Sequence, residues 1–460
     1  WPVDAEGRPQ EEPRALTRAI AHAPSWSGDS RTLLYQSDDC LETVDVSSGR
    51  ITRVEVPLRY SPAIPQGRLL LRVGQLVDGV SAQARGVADI LVERNRIAAI
   101  TAPGGLQPRP GDVVVEARGL TAMPGLVEYH AHVQKDFGEA QHRAWLAYGV
   151  TTVRDPGNLP YHGVEDREAV EAGVRIGPRI YTTGHLFEWQ RVYYKMGVAL
   201  AGPDHLELEL QRAAALRHDL LKSYVRLPDR QQRRLVEFAH AHGIPVSTHE
   251  VYPAALVGVD ATEHLGATSR RGYSPKHGPQ GRSYEDVVQI FGRSGRALSP
   301  THFGSLPALL ARDPALREDP RLALYPGWAQ ASVRQAGSDG RLPVVTPDGG
   351  SSRAIRDIHA AGGRLLAGTD TPIALHLHAE IASYVDAGLS PYQALRSATL
   401  EPARELGLDA GSLEAGKLAD IVLVQGNPLE DITATTRVRK VVANGRLYGV
   451  EALLDPGPAH

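Results

Sequence analysis

Between residues 125 and 410, short apolar runs alternate with amphipathic helical stretches, and no other feature narrows the fold of this chain so far. Eight strand candidates end near His130, Asp155, Gly184, Val225, His249, His264, His302 and Asp370. Helical patterns such as "RQQRRLVEFAHAHG" and "SSRAIRDIHAAGG" separate several of them, each closed by a Gly where a helix C-cap needs one. Eight βα units over about 250 residues are the signature of a (β/α)8 barrel, an α/β fold. In such a barrel the C-terminal strand ends open onto a cleft, so side chains placed there carry chemistry.

The flanks read differently. Residues 66–124 are β-rich, with "RLLLRVGQLVDG", "ADILVERNRIAAI" and "DVVVEARGLTAMPG". Residues 411–455 hold a second such set, "ADIVLVQGN" and "VRKVVANGRLYG", so a small β-sandwich built from both chain ends is expected beside a barrel spanning 125–410. Residues 1–62 form a further short β module. Its "PSWSGDSRTLLYQSDDCLETVDVSSGR" alternates β-rich runs with turn signals and resembles one blade of a Tol-associated propeller. One blade cannot bury both of its faces alone. It therefore either packs on the rest of this chain or is the stub of a larger N-terminal propeller, the alternative favoured here.

The chemistry concentrates at the strand ends. In "GLVEYHAHVQ" an apolar run acquires His130 and His132, whose side chains share one side if the strand stays regular. Lys222 in "LLKSYV", His249 in "VSTHE", His264 in "ATEHLG" and Asp370 in "LLAGTDTP" stand at four further strand ends. With Cys40 as the only cysteine, any metal here must be held by nitrogen and oxygen, a set that suits zinc. Each residue alone has a plainer explanation: Lys222 reaching solvent, His249 and His264 as bonded core histidines, Asp370 as a turn residue before Pro372. Their joint placement favours ligation.

Taken together, "TAMPGLVEYHAH", "GVTTVRDPG", the later histidines, Asp370 and "SLEAGKLADIVLVQGNP" resemble the amidohydrolase superfamily over roughly residues 68–450. Within it, the imidazolonepropionase-like branch, some of whose members carry a propeller upstream, is most similar. The resemblance implies two divalent ions, zinc first. His130, His132 and Asp370 would hold the more buried one, His249 and His264 the other, with Lys222 bridging both as a carbamate. A plain lysine ammonium has no lone pair to offer, so only the carboxylated form ligates. The ions would bring a bound water's pKa toward neutrality, and Asp370 would carry its proton to the departing nitrogen.

That implies a metal-dependent hydrolase of amide C–N bonds, acting on peptides, dipeptides or N-acyl amino acids. Cyclic amides of the imidazolone type, lactones and other esters are the alternatives, followed by a non-catalytic binding scaffold. In "KSYVRLPD", Lys222, Tyr224 and Arg226 alternate, so Tyr224 and Arg226 are expected along the cleft rim. Arg226 would grip a substrate carboxylate, or else pair with Asp229. His302 and His378 are further candidates for substrate contact, the latter with His376 alternatively a helix-start pair. Residues 266–286 and 303–345, rich in Gly, Pro and Arg, are expected as long loops that wall the site and set specificity.

Composition bounds the partners. A net charge of −3 gives no support for nucleic acid, and no run approaches the roughly 20 apolar residues of a membrane span. A small-molecule or peptide substrate is the expected partner, with a homo-oligomer left open. The chain starts at Trp1 without methionine, so secreted, periplasmic and cytoplasmic placement all stay open.

Overall fold

The computed structural model describes residues 1–192, 194–266, 276–278, 282–302, 305–338 and 351–455. Strands β1 (His22–Trp26), β2 (Thr32–Ser37), β3 (Cys40–Asp45) and β4 (Ile51–Val54) form an antiparallel sheet in sequence order. Asp29 and Asp45 tie its turns, accepting from Ser27 and Arg31 and from Ser47 and Ser48 respectively. Only Tyr35 and Val44 are apolar and buried in this module, too little for independent stability. It leans on the rest of the chain, with the His22 ring 5.0 Å from Tyr161.

Strands β5 (Arg68–Leu76), β6 (Ala88–Glu93), β7 (Arg96–Thr101) and β8 (Val113–Pro124) join three strands from the far end of the chain in one mixed sheet. Its order is β21-β20-β19-β8-β5-β6-β7, where β19 is Ile421–Val424, β20 Val438–Ala443 and β21 Arg446–Gly449. The sheet curls until its ends meet: Asn95 donates its amide to Asn444 at 3.0 Å and accepts the Ala419 N–H at 2.8 Å. Leu71, Val73, Ile90 and Val92 of one half pack with Ile421, Leu423 and Val442 of the other.

Between these halves run the parallel strands β9 (Leu126–Glu128), β10 (Val150–Asp155), β11 (Arg179–Thr182), β12 (Leu186–Glu188), β13 (Gly197–Ala199), β14 (Leu221–Ser223), β15 (Val246–Thr248), β16 (Ala261–Glu263), β17 (Ala297–Ser299) and β18 (Arg364–Leu365). They form two sheets, β11-β10-β9 and β13-β12-β14-β15-β16-β17-β18. Backbone bonds link the two at both ends. Asp219 N–H reaches Thr182, Tyr129 N–H reaches Ala367, and Asp370 N–H reaches the His130 carbonyl at 2.6 Å. Strands β9, β10, β12 and β14 to β17 are buried on both faces, as a parallel sheet covered by helices requires, whereas β13 at the sheet edge is partly exposed.

The covering helices include α1 (Ala140–Ala147), α2 (Pro160–Glu171), α3 (Pro203–Ala215) and α4 (Asp229–Ala241). Gly243 beyond α4 and Gly362 beyond the helix Ser352–Ala360 take positive φ, as their C-cap positions require. The stretch after β17 departs from the sequence reading of residues 303–345 as a loop. Residues 305–338 carry the helices Ser305–Arg312 and Gly327–Gln335 with two 3-10 turns between them. Leu306, Leu309 and Leu310 recur at helical spacing and are buried, a pattern masked by the surrounding Gly, Pro and Arg. Most of the 266–286 segment, and residues 339–350, lie outside the described residues.

Candidate metal centre

All the ligand candidates but Lys222 lie beyond the ends of their strands, where the barrel-like ring opens. His130 and His132 follow β9, Lys222 lies in β14, His249 follows β15, His264 follows β16, and Asp370 stands five residues beyond β18. The imidazoles form a contiguous row. Ring centroids are 5.6 Å apart for His130 and His132, 4.5 Å for His130 and His264, and 4.6 Å for His264 and His249. Asp370 closes the group, with Oδ1 3.3 Å from His130 Nε2 and 3.0 Å from His132 Nε2, and Oδ2 3.9 Å from His264 Nε2.

The outer partners fix which nitrogen faces inward. His130 Nδ1 lies 2.7 Å from the Glu263 carboxylate, which only accepts, so Nδ1 donates. His132 Nδ1 likewise donates, to Asp155 at 3.1 Å and to the Gly157 carbonyl at 3.0 Å. Thr301 gives its hydroxyl proton to the Pro300 carbonyl at 2.9 Å, so its oxygen accepts from His264 Nδ1. With Nδ1 donating outward, Nε2 of each ring is the atom turned toward Asp370 and open to a metal ion, and a cation bound at His132 would displace the proton that Asp155 and Asp370 favour there. His130 Nε2 is fully buried with no hydrogen-bond partner. Lone pairs and a carboxylate converging away from water need a cation, and the donor set of imidazoles and carboxylate is one that zinc-like ions take.

Charge is arranged accordingly. Burial opposes charge on His132, yet Asp155 and Asp370 outweigh it and lift its pKa to about 9. Burial would raise Asp370, but His130 and His132 hold it well below the ordinary carboxylate value. Glu263 is buried too, and Arg154, bonded at 3.0 Å, together with His130 keeps it ionised. His264 is held neutral, by burial first and by His130 and His249 next. His264, Thr301 and Asp370 all adopt left-handed backbone (φ 60°, 44° and 58°), strain that a packed framework must sustain. Gly368 makes the convergence possible, because a Cβ there would stand 2.6 Å from His130 Cβ and 2.7 Å from its backbone nitrogen.

Above this floor lies a cavity of about 580 Å³, lined among others by His132, Lys222, His249, His264 and Asp370, with Leu186, Tyr194, Lys195, Met196 and Tyr224 as walls. Lys222 is 2 % exposed, and its burial draws the amine pKa below the usual value. Tyr224 is buried in the cavity wall, its ring 4.7 Å from His249.

Three expected substrate contacts are corrected. β14 ends at Ser223 and the chain turns, with Leu227 N–H on the Tyr224 carbonyl, so the alternation stops before Arg226. Arg226 pairs with buried Glu188 at 2.9 Å and is not among the cavity-lining residues. His302 faces the helix Leu375–Asp386, its ring 3.0 Å from Ser383 Oγ and its N–H on Glu380. His378, on that helix, is locked between Thr435 Oγ1 (3.0 Å) and the Tyr148 carbonyl (2.9 Å), behind the ring. The sequence reading missed Glu263, Arg154, Asp155 and Thr301 as the groups that orient the imidazoles. Charged residues inside otherwise apolar strands, such as "VTTVRD" and "ATE", were the available signal.

An α/β ring of parallel strands with inward imidazoles and one carboxylate at its mouth defines a metal-dependent hydrolase. The Amidohydrolase family model matches residues 121–448, and the chain belongs to that family, whose members are hydrolases acting on C–N bonds. The family and its solved relatives imply a TIM barrel for the ring. The chain is 25% identical over 422 residues to a dihydroorotase of Pelotomaculum thermopropionicum, covering 83% of this chain and 95% of that protein. A 40% identity to an adenine deaminase of Methanosphaera stadtmanae is confined to 70 residues, 15% of this chain and 12% of that protein. A Xaa-Pro dipeptidase structure with bound methionine superposes with a TM-score of 0.64 at 21% identity, covering 83% of this chain and all of the other.

Proposed function

We propose that this amidohydrolase cleaves the amide bond of dipeptides or N-acyl amino acids, with divalent ions, zinc foremost, held by His130, His132 and Asp370 and by His249 and His264. Lys222, once carboxylated, would offer these ions a further anionic oxygen ligand. The observation that carries the reading is the convergence of three inward Nε2 atoms and Asp370 on the floor of a cavity with apolar and aromatic walls. Ions bound there supply Lewis acidity and an acidified water at neutral pH. Asp370, kept ionised beside His132, accepts the proton of the attacking water and returns it to the leaving nitrogen. The lowered pKa of Lys222 favours the neutral amine, the form that combines with carbon dioxide.

The cavity suits a small amide. Leu186, Met196, Tyr194 and Tyr224 offer one apolar side chain a wall, while Lys195 at the rim, held only by a loose, solvent-exposed pairing with Asp136 at 3.9 Å, can turn to a terminal carboxylate. Arg226 is left out of that role, because Glu188 already neutralises it. Similarity to a Xaa-Pro dipeptidase supports this substrate class, whereas similarity to dihydroorotases favours a cyclic amide. The test is metal analysis of the purified protein followed by a screen of dipeptides, N-acyl amino acids, dihydroorotate and lactones. Hydrolysis of the acyclic amides, lost on chelation and in Asp370→Asn, is expected. Turnover of the cyclic substrates alone would replace the acyclic reading.

A further inference from the structure

A second cluster lies outside the cavity, where α1 meets α2. His162, Glu165 and Asp166 share one face of α2 at positions i, i+3 and i+4, and one ligand atom from each lies within 4.8 Å of the others. His142 of α1 approaches Asp166 from the other side, Nε2 to Oδ1 at 3.3 Å. Asp166 and His142 are both buried; Asp166 Oδ2 and both ring nitrogens of His142 lack a hydrogen-bond partner.

The protonation of His162 follows from its neighbours. Asn158 gives its amide N–H groups to the Val133 carbonyl (3.2 Å) and to Asp155 (2.6 Å), so its Oδ1 faces His162. Oδ1 also accepts the Leu159 N–H, and His162 Nδ1, 3.1 Å away, must therefore donate. In the neutral ring, which burial favours by lowering the pKa, Nε2 is a lone pair. It lies 3.3 Å from Asp166 Oδ2, so acceptor faces acceptor. That spacing equals the edge of a zinc tetrahedron with legs of ~2.0 Å. Arg175 is the cation at hand. It bonds Asp166 Oδ1, Glu165 Oε1 and Glu139, one guanidinium against three carboxylates, and leaves Asp166 Oδ2 to the gap.

We propose that His162 Nε2, Asp166 Oδ2 and the Glu165 carboxylate bind a second-site divalent cation of the zinc class, separate from the catalytic ions. The ion ties together the first turns of α2, whose Asp166 also meets His142 of α1 through its other oxygen. It also touches the catalytic framework at one remove, since Asn158 links His162 to Asp155, the carboxylate that holds His132. The proposal does not depend on which substrate the cavity accepts.

Equilibrium dialysis of the full chain against buffered zinc, with metal counted by mass spectrometry, tests it. His162→Ala and Glu165→Gln should each bind one equivalent fewer than wild type. A His130→Ala/His264→Ala double variant should lose catalytic zinc yet keep this equivalent, and zinc should raise its melting temperature unless His162→Ala is added. Glu165 is more than half exposed, so the Gln variant keeps the test sound even if His162→Ala fails to fold. Equal zinc counts in wild type and folded Glu165→Gln, with no zinc retained by the catalytic double variant, would overturn the proposal.

Discussion

Replacing Glu263 by Gln isolates the way the fold presents His130 to a metal. Glu263 is fully buried and accepts on both oxygens, from His130 Nδ1 at 2.7 Å and from Arg154 at 3.0 Å. Gln keeps the shape but has one acceptor and one donor group. If its oxygen stays on Arg154, its NH2 confronts the Nδ1–H of His130 and the imidazole must shift its proton to Nε2, where the metal belongs. If its oxygen turns to His130, Arg154 is left facing a donor in a buried setting. Loss of such an orienting partner costs about 10- to 100-fold in metal affinity, or roughly 1.4–2.7 kcal/mol. Glu263→Ala, which removes the buried carboxylate paired with Arg154 and leaves it only the Tyr129 carbonyl and ring, should destabilise the fold by about 3–5 kcal/mol. Zinc competition against a chromophoric chelator reads the first effect, and urea unfolding of the metal-free protein reads the second. A Gln variant with wild-type zinc affinity and wild-type kcat/KM would show that the His130 tautomer is not set by Glu263, and the argument for the inward lone pairs would fail.

Gly368→Ala should push the β18 extension off His130 and weaken zinc binding, with a destabilisation of about 1–3 kcal/mol by thermal melting; an unchanged melting temperature would contradict the close approach. Burial raises the Glu380 carboxyl from 4.5 to about 8 against the opposing pull of His302 N–H and Tyr384. The native state therefore keeps a proton that the unfolded chain releases, so this stability is full below pH 4.5 and is lost as pH rises through about 8. Glu380→Gln should flatten the urea-unfolding profile between pH 5 and 8, and an unaltered slope would refute the assignment. His378→Ala, which empties a buried site between Thr435 and Tyr148, should cost about 2–4 kcal/mol while leaving kcat/KM per folded molecule unchanged.

The alternation of strand and helix and the histidines at strand ends were legible because both are local: a period and a residue type suffice. Arg226 was misplaced because a two-residue alternation holds only while the strand lasts, and β14 stops at Ser223. His378 was misassigned because its partners, Tyr148 and Thr435, are remote in sequence, so nothing near "ALHLHAE" reveals them. The groups that orient the imidazoles escaped for the same reason: Glu263 serves His130 rather than its neighbour His264. The leucines of residues 305–324 lay hidden under a loop-like composition until packing exposed their spacing.

The curled sheet carries a consequence for synthesis. β8 sits between β5, made shortly before it, and β19, which follows after roughly 300 further residues. Until that distant partner emerges, one flank of β8 offers unpaired amides and carbonyls to any passing strand. A nascent or C-terminally clipped chain thus holds a sticky edge directly behind the loop that delivers His130, and chaperone demand should peak in that interval.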